Sequence, residues 1–297
     1  MKRNYNYNVI KNLEKKFPSK ILLNIFKKIC KIKYFENEIK ILHEQKKITP
    51  LVYLSLGQES VSAAISEAMK GSFVLAQHRG HGPYLAFGGN PITLIDELLG
   101  LESGCCKGKG GSPMIHDIKK KIIGHCGLIG DQVPIAAGMS LVKKNNIFTC
   151  FFGDGAAEED YVLSTIGYAA TQKLNILFVC DDNNLSVLTP IKHRRSWEIS
   201  RVAESFGIPA VDIADDPWTI YFWAKKFKKK LPALINIRTC RDIWHVGSGK
   251  DKVLEWDRYN ITKQKMINVG LKKKLDIIET EEKNWAKNLV QKRLQRL

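Results

Sequence analysis

The amino-acid sequence predicts an α/β protein with a mostly parallel sheet and helices on both of its faces. Short apolar runs typical of buried strands alternate with helical stretches of about ten or more residues, which is the pattern of strand–helix–strand units. Apolar residues make up 44% of the chain and charged residues 26%, and this near-average balance excludes a disordered or collagen-like chain. Neither an internal repeat nor a proline- or serine-rich linker divides the sequence, so one main domain is expected.

The predicted elements follow one another in a regular order. Residues 1–19 form a basic, loosely ordered arm, residues 20–255 the main domain, and residues 256–297 a C-terminal helical extension. Apolar residues at helical spacing predict helices at 20–45, 57–69, 92–101, 134–144, 156–173, 197–206 and 217–230. Strands are predicted at 73–77, 147–152, 176–180, 210–213 and 233–238. Glycines are too frequent between 104 and 130 for a helix, so this stretch is expected to bring backbone close to another group.

The chain is strongly basic, with a formal net charge of +17, and the basic excess is concentrated at the two ends. Nucleic-acid binding, docking to an acidic protein, and solvated helix faces in a lysine-rich composition all fit this charge. The last is favoured, because the ends show no zinc finger, helix-turn-helix or RNA-module signature. No nucleic-acid partner is therefore expected.

The cysteines and the apolar runs bear on the cellular compartment. Seven cysteines, none in a C-x-x-C spacing, predict neither a disulfide framework nor a zinc site. No apolar run is long enough to span a membrane, and the N-terminus lacks the apolar core of a signal peptide. A cytoplasmic protein without a membrane span is therefore expected.

The strongest local motif is Gly153-Asp154-Gly155, which directly follows the strand at 147–152 and precedes a helix. Ligands of α/β proteins bind at the carboxyl ends of such strands, and the N-terminus of a helix offers free N–H groups to a phosphate. The glycines let the backbone approach the ligand, and Asp154 supplies a hard oxygen beside the phosphate. Because Mg²⁺ prefers one or two protein oxygens together with phosphate oxygens, the motif indicates magnesium.

The next strand supplies the second half of the predicted site. It ends at Cys180 and continues into Asp181-Asp182-Asn183-Asn184. A strand–helix–strand unit places Asp154 and Asn183 at the same edge of the sheet, on neighbouring strand ends. The carboxylate, the Asn183 carbonyl and a nearby backbone oxygen can then share one Mg²⁺. A Gly-Asp-Gly motif followed by asparagine at this distance resembles the fingerprint of thiamine diphosphate enzymes.

The chain resembles the alpha subunit of the decarboxylating component of 2-oxo acid dehydrogenases, as in the pyruvate, branched-chain and acetoin enzymes. The resemblance extends from about residue 20 to about residue 250. It rests on LSLGQESVSAAI, QHRGHGPYLAFGG, CCKGKGGSP, GHCGLIGDQVPIAAG, FFGDGAAEEDYVLSTIGYAATQKL and FVCDDNNLSVLT, which occur in the order and spacing of the family. It implies a thiamine diphosphate-binding fold, thiamine diphosphate and Mg²⁺ as cofactors, and oxidative decarboxylation of a 2-oxo acid.

The resemblance implies which residues hold the metal and the diphosphate. Asp154, Asn183 and the Leu185 carbonyl would bind Mg²⁺. Gly155 and Ala156 would bind the diphosphate through their backbone N–H groups.

Other roles in binding and catalysis also follow from the resemblance. Arg79, next to His78, would hold the diphosphate through charge-assisted hydrogen bonds. Gly127 and Ile129 would lie against the aminopyrimidine. His245, on a loop over the cofactor, would bind the diphosphate or handle a proton.

Residues near these motifs receive less specific expectations. His81 is assigned to the catalytic residues together with His245, and it would orient the His245 loop or the cofactor entrance. His116 and His125 are expected to be structural. Arg194 and Arg195, which follow the cofactor loop, could contact the substrate or a partner, and a solvated loop is the default expectation.

The resemblance implies that the chain forms half of an active site. A separate beta subunit would supply the pyrimidine-binding half and a glutamate, in an α₂β₂ heterotetramer that acts on a small 2-oxo acid and a possible acyl-acceptor protein. The chain departs from the family at Tyr53, where a histidine is usual, at Leu185, and around His245, so neither the 2-oxo acid nor the acceptor is assigned.

Three alternatives to this function remain. An alpha-like subunit retained only for assembly is disfavoured by the intact Asp154, Asn183 and Arg79. A self-contained thiamine enzyme carries both halves of the site, for which 297 residues are too few. A basic nucleic-acid-binding protein is the third alternative.

Overall fold

The computed structural model describes residues 3–124, 126–250 and 254–295. The predictions for His125 and for the first two and last two residues lie outside this part of the chain. Eight strands are present in it, β1 to β8 in chain order: Phe73–Leu75, Ile122–Ile123, Phe148–Gly153, Ile176–Asp182, Leu185–Ser186, Thr189–Pro190, Ala210–Ala214 and Ala233–Arg238. Six of them form one parallel sheet in the order β2-β1-β3-β4-β8-β7, and β5 and β6 form a separate antiparallel pair. The predicted fold class is confirmed.

Eleven α-helices, α1 to α11, surround the sheet in the described residues. They are Leu13–Lys16, Ser19–Glu44, Glu59–Ala68, His81–Ala86, Pro91–Leu98, Gln132–Val142, Asp160–Gln172, Ile199–Ser205, Pro217–Phe227, Arg258–Asn268 and Lys272–Leu294. The sequence did not predict α1 or α4. The C-terminal helix is divided in two, because Gly270 adopts a φ of +81° that ends α10 before α11 begins. Among the described residues, no helix is long and apolar enough to cross a membrane.

Both faces of the sheet are covered by helices. On β4, Leu177 and Val179 pack into the core beneath α2, α3 and α9. Ile176, Phe178 and Cys180 pack into a second core beneath α6, α7 and α8. Burial on both faces explains why these strands appear in the sequence as continuous apolar runs and not as an alternating pattern.

The two ends of the chain pack against the main domain. Phe35 of α2 stacks on Trp285 of α11, with a distance of 6.4 Å between the ring centroids. At the other end, the Ala214 N–H donates to the Tyr7 carbonyl over 2.8 Å, so residues 3–8 lie along the carboxyl end of β7. The arm that the sequence predicted as loosely ordered is therefore held against the sheet.

The strand order places a crevice where ligands of α/β proteins bind. From β1 the chain moves outward to β2, and it then returns to add β3 on the opposite side of β1. Such a reversal separates the loops that follow the two inner strands and opens a crevice at their carboxyl ends. The loops that follow β1, β3, β4 and β8 all reach this edge.

Candidate active site

A pocket lies at the carboxyl ends of β1, β3, β4 and β8. Most of the predicted site residues line it: His78, Arg79, Ile129, Asp154, Gly155, Ala156, Asn183, Leu185 and His245. Gly127 and His81 lie outside this lining. Gln77, Gln132 and Val187 also line the pocket, although the sequence analysis gave them no role.

Two of the three predicted metal ligands, Asp154 and Asn183, are brought to the same edge of the sheet by the strand register. Gly153 of β3 pairs with Asp181 of β4, so Asp154 and Asn183 follow at the same edge. Asp154 is almost completely buried, at 1% exposure. Burial, together with the negative charge of Asp182, raises the pKa of Asp154 to about 6. A buried carboxylate beside a second one favours a cation at this position.

The turn after β4 contributes Asn183 and Leu185 to the lining of the pocket. The Leu185 N–H donates to Asn183 Oδ1 over 3.1 Å, and Asn183 Nδ2 lies 3.4 Å from Gln58 Oε1. These contacts fix the orientation of the Asn183 amide. Carboxylate, amide and backbone oxygens are hard donors, so the set formed by Asp154, Asn183 and Leu185 fits Mg²⁺ in its chemistry.

The glycines of the motif allow the backbone to pass close to neighbouring side chains. A Cβ added at Gly155 would lie 2.9 Å from Ser186 Oγ. The chain then enters a short 3₁₀ turn, Ala156–Glu158, before α7 begins at Asp160. The predicted helix at 156–173 is therefore divided, because Glu159 is extended. The absence of a side chain at Gly155 leaves its backbone accessible, which fits the predicted binding of a diphosphate by the N–H groups of Gly155 and Ala156.

Arg194 and Arg195 correct a prediction. The sequence placed them in a solvated loop, but Arg194 forms an ion pair with the Asp154 carboxylate, and Arg195 Nη1 donates to the Asp154 carbonyl over 2.7 Å. Both arginines also contact Glu158. A buried carboxylate requires a charged partner, and this requirement draws the loop back over the strand ends.

Asp181 connects several polar side chains beneath the pocket. It accepts hydrogen bonds from Gln58 Nε2 over 2.5 Å, from Thr239 Oγ1 over 3.0 Å and from Gln77 Nε2 over 3.2 Å. Burial raises the pKa of Asp181 to about 7. Through Gln58 this network reaches Asn183. The sequence did not predict this role of Gln58, although the residue lies in the Gly-Gln-Glu segment on which the resemblance partly rests.

Arg79 positions the loop that carries His245. Its guanidinium is buried and donates to the Leu54 carbonyl over 2.6 Å and to the His245 carbonyl over 3.1 Å. The ring centroids of Tyr53, His78 and His245 lie 5.1 to 5.5 Å from one another. The three rings pack together, and His78 and His245 line the pocket next to Arg79.

His245 is neutral at pH 7. Burial and the charges of Arg79 and Arg241 lower its pKa to about 4. A neutral imidazole retains a nitrogen that can accept a proton. This geometry is compatible with both roles predicted for His245.

His81 acts at a distance from the pocket. Its side chain is completely buried, with Nδ1 3.1 Å from Glu36 Oε1 and Nε2 2.8 Å from Ser112 Oγ. Ser112 Oγ in turn accepts a hydrogen bond from the Tyr53 N–H over 2.9 Å. The predicted orienting role fits this chain of contacts, whereas direct contact with a ligand in the pocket does not.

Replacing His81 with leucine should lower the free energy of unfolding by about 2–4 kcal/mol, because it leaves the Glu36 carboxylate buried with one partner fewer. Urea denaturation of the two proteins measures the difference. His193→Leu is the matched control, because His193 is exposed and its replacement should change stability by less than about 0.5 kcal/mol. Equal stability of the two variants would contradict a structural role for the Glu36–His81 pair.

The glycine-rich stretch supplies the remaining wall of the pocket. The Ile129 carbonyl accepts a hydrogen bond from the Tyr161 hydroxyl. At Gly130, with a φ of +88°, an added Cβ would lie 2.7 Å from the side chain of Val162. His116 Nδ1 accepts a hydrogen bond from the Gly124 N–H over 3.0 Å, which agrees with its expected structural role.

Known proteins resemble this chain along most of its length. The family model described as "Dehydrogenase E1 component" matches residues 27–293. The alpha subunit of the pyruvate dehydrogenase E1 component of Rickettsia prowazekii is 33% identical over 239 residues, which are 76% of this chain and 73% of that protein. The alpha subunit of the acetoin:2,6-dichlorophenolindophenol oxidoreductase of Bacillus subtilis is 29% identical over 233 residues, which are 74% of this chain and 70% of that protein.

Solved transketolase structures share the fold. The Campylobacter jejuni enzyme superposes with a TM-score of 0.59 at 16% identity over 93% of this chain and 49% of its own. The Leishmania mexicana enzyme gives a TM-score of 0.56 at 14% identity over 93% of this chain and 47% of its own. The chain thus spans about half the length of these transketolases. The family model matches residues 27–293, and the relatives with similar sequences are alpha subunits. We conclude that the chain belongs to the alpha subunits of the dehydrogenase E1 component family.

Proposed function

We propose that the chain is the alpha subunit of a two-subunit 2-oxo acid dehydrogenase that uses thiamine diphosphate and Mg²⁺. The observation that carries the proposal is the convergence of Asp154, Asn183, Arg79 and His245 in one pocket at the strand ends. When bound, thiamine diphosphate supplies the electron sink for loss of CO₂ from a 2-oxo acid. Binding, orientation and the exclusion of water are then the tasks of the protein.

The oxygen donors and the Arg79 guanidinium line the same pocket, and each would bind a different part of the cofactor. Asp154, Asn183 and the Leu185 carbonyl would hold Mg²⁺. The backbone N–H groups of Gly155 and Ala156 would bind the diphosphate. Arg79, with His78 beside it, would face the negative charge of the diphosphate.

The remaining wall would receive the organic part of the cofactor and the substrate. Gly127 and Ile129, in the loop before α6, would lie against the aminopyrimidine. His245 would accept or release a proton at its ring nitrogen. The charges of Arg79 and Arg241 beside it favour the carboxylate of a 2-oxo acid.

The outer face of helix α6, beside the pocket, is a candidate surface for binding a partner subunit. Helix α6 has no charged residue, and its outer face exposes Ile135 and Val142 around Gly138. Leu128, in the loop before α6, is 69% exposed. Exposed apolar side chains of this kind are typical of a protein interface. We infer that a beta subunit covers it and supplies the pyrimidine-binding half of the site together with the glutamate that the family resemblance implies.

Replacing Ile135 with aspartate should prevent the chain from co-purifying with its partner subunit, because the carboxylate would be buried without a partner in the interface. Co-expression followed by size-exclusion chromatography measures the complex. Ile277→Asp is the matched control, since Ile277 is 57% exposed on α11 and should tolerate the charge. Normal assembly of the Ile135 variant would place the interface elsewhere.

Calorimetry of thiamine diphosphate binding tests the proposed function directly. The wild-type chain is titrated with and without Mg²⁺, both alone and co-expressed with a candidate beta subunit. Magnesium-dependent binding in the co-expressed complex supports a split active site, and a screen of 2-oxo acids with that complex then identifies the substrate. Absence of binding in both preparations, with folded protein confirmed, would reject the enzyme and favour the subunit retained only for assembly.

A further inference from the structure

The N-terminal arm reaches the candidate metal site. Three contacts hold it against β7 and helix α10. Besides the bond from Ala214 to Tyr7, Asn8 Nδ2 donates to the Asp212 carbonyl over 2.8 Å, and Arg258 Nη2 donates to the Tyr5 carbonyl over 2.6 Å. These anchors bring the start of the described chain to the end of β4.

Arg3 contacts Asp182 there through two of its atoms. Its Nη1 lies 3.2 Å from the Asp182 carboxylate, and its Nη2 donates to the Asp182 carbonyl over 3.0 Å. The same Nη2 also donates to the Thr239 carbonyl. The Arg3 side chain is 11% exposed, and its guanidinium lies 5.5 Å from the centre of the Trp256 ring. The charge is thus held in a largely desolvated position beside a buried carboxylate.

Asp182 transmits this contact to the predicted metal ligands. Its Oδ1 accepts a hydrogen bond from the Asn184 N–H over 2.8 Å, and its Oδ2 accepts one from Asn236 Nδ2 over 3.2 Å. Asn184 adopts a left-handed conformation, with a φ of +68°. This conformation turns the chain so that the Leu185 N–H reaches Asn183 Oδ1. The orientation of the Asn183 amide therefore depends on a turn that Asp182 fixes.

We propose that Arg3 is a positioning residue of the candidate metal site and that it fixes the Asn183–Leu185 turn through Asp182. Three carboxylates, those of Asp154, Asp181 and Asp182, lie buried at this edge of the sheet. Arg3 offsets the charge of Asp182, and without it the side chain would turn toward water and release Asn184. The link to metal binding rests on the proposed function, whereas the link to the turn does not. The proposal gives Arg3, one of the basic residues of the N-terminal arm, a role within its own chain.

Replacing Arg3 with glutamine tests the proposal with two measurements on the full chain in its complex. Hydrogen exchange of the amides of residues 184–187 should become at least about tenfold faster, because the turn loses its anchor. The dissociation constant of Mg²⁺, measured by calorimetry at saturating thiamine diphosphate, should rise about tenfold. Arg3→Lys should recover part of both effects, because it keeps the charge but not the two-atom contact. Lys11→Gln, an exposed change in the same arm, should resemble the wild type.

A double variant separates positioning from general destabilisation. In an Asp182→Asn background, Arg3→Gln should change the dissociation constant of Mg²⁺ less than twofold, because the residue through which Arg3 acts has already lost its charge. Independent, multiplying effects would overturn the proposal, as would unchanged exchange of residues 184–187 in Arg3→Gln. If the wild type binds no thiamine diphosphate and Arg3→Gln still accelerates exchange, the proposed function fails while the positioning of the turn by Arg3 is supported.

Discussion

Replacing Asp154 with asparagine should abolish magnesium-dependent binding of thiamine diphosphate and leave the fold intact. Mg²⁺ takes few protein ligands, and at this site Asp154 is the one proposed ligand that carries a charge. We expect the affinity for the cofactor to fall at least about 100-fold, which corresponds to roughly 3 kcal/mol. Calorimetry with and without Mg²⁺ measures the loss.

The same substitution should not lower the stability of the chain at pH 7. The pKa of Asp154 is raised to about 6, above its ordinary value of 3.8, so ionisation of this group disfavours the folded state as pH rises from about 4 to 6. Asparagine removes this cost, and Arg194 retains Glu158 as a partner. Urea denaturation at pH 5 and pH 7 should therefore show a smaller decrease in stability between these pH values for the variant than for the wild type.

Asp160→Asn is the matched control for the Asp154 variant. Asp160 is exposed at the first turn of α7, a few residues further along the same loop. Its replacement removes the same charge and should leave cofactor binding unchanged. Binding by the Asp154 variant within a few-fold of the wild type, still dependent on Mg²⁺, would exclude Asp154 as a ligand.

Replacing Arg79 with glutamine should weaken thiamine diphosphate binding about 100-fold and also disturb His245. The guanidinium would supply charge-assisted hydrogen bonds to the diphosphate, and it already holds the His245 carbonyl. Its positive charge helps to lower the pKa of His245 to about 4. Without that charge the pKa should rise toward 6.5, so His245 should become protonated at a higher pH.

Two measurements distinguish these effects of the Arg79 variant. Calorimetry gives the affinity for thiamine diphosphate, and NMR titration of the imidazole gives the pKa of His245. Arg79→Lys should retain much of the pKa shift but not the affinity, because an ammonium group cannot span the positions that the guanidinium reaches.

Arg201→Gln is the control for the Arg79 variant, since the Arg201 side chain is 75% exposed and pairs with Glu204 on the same helix. It should alter neither the affinity nor the pKa of His245. If Arg79→Gln retained wild-type affinity and an unchanged pKa of His245, the guanidinium would have no role in the pocket.

The long-range contacts of the site were beyond sequence reasoning. Arg3 meets Asp182 because the arm crosses three strand ends, and no local pattern records that path. Glu36, His81 and Ser112 likewise belong to three separate parts of the chain. The sequence predicts a solvated loop for Arg194, yet its guanidinium pairs with the Asp154 carboxylate.

The differences between the predicted and observed helices arise from single glycine and proline residues. The division of the C-terminal extension follows from Gly270, whose left-handed backbone ends α10 although the apolar spacing continues. The short helix α4 was missed because glycine and proline at its start are typical of a turn.

The sequence by itself determined the α/β class, most of the strands and the placement of Asp154 and Asn183 at the same edge of the sheet. Strands buried on both faces appear as continuous apolar runs, and a right-handed strand–helix–strand connection leaves consecutive strand ends at one edge. Only the tertiary structure decided what surrounds that pair: the Asp181 network, the pairing of Arg194 with Asp154, and the anchoring of Asp182 by Arg3. The physical reason is that buried charges select their partners by proximity in space, which local periodicity does not encode.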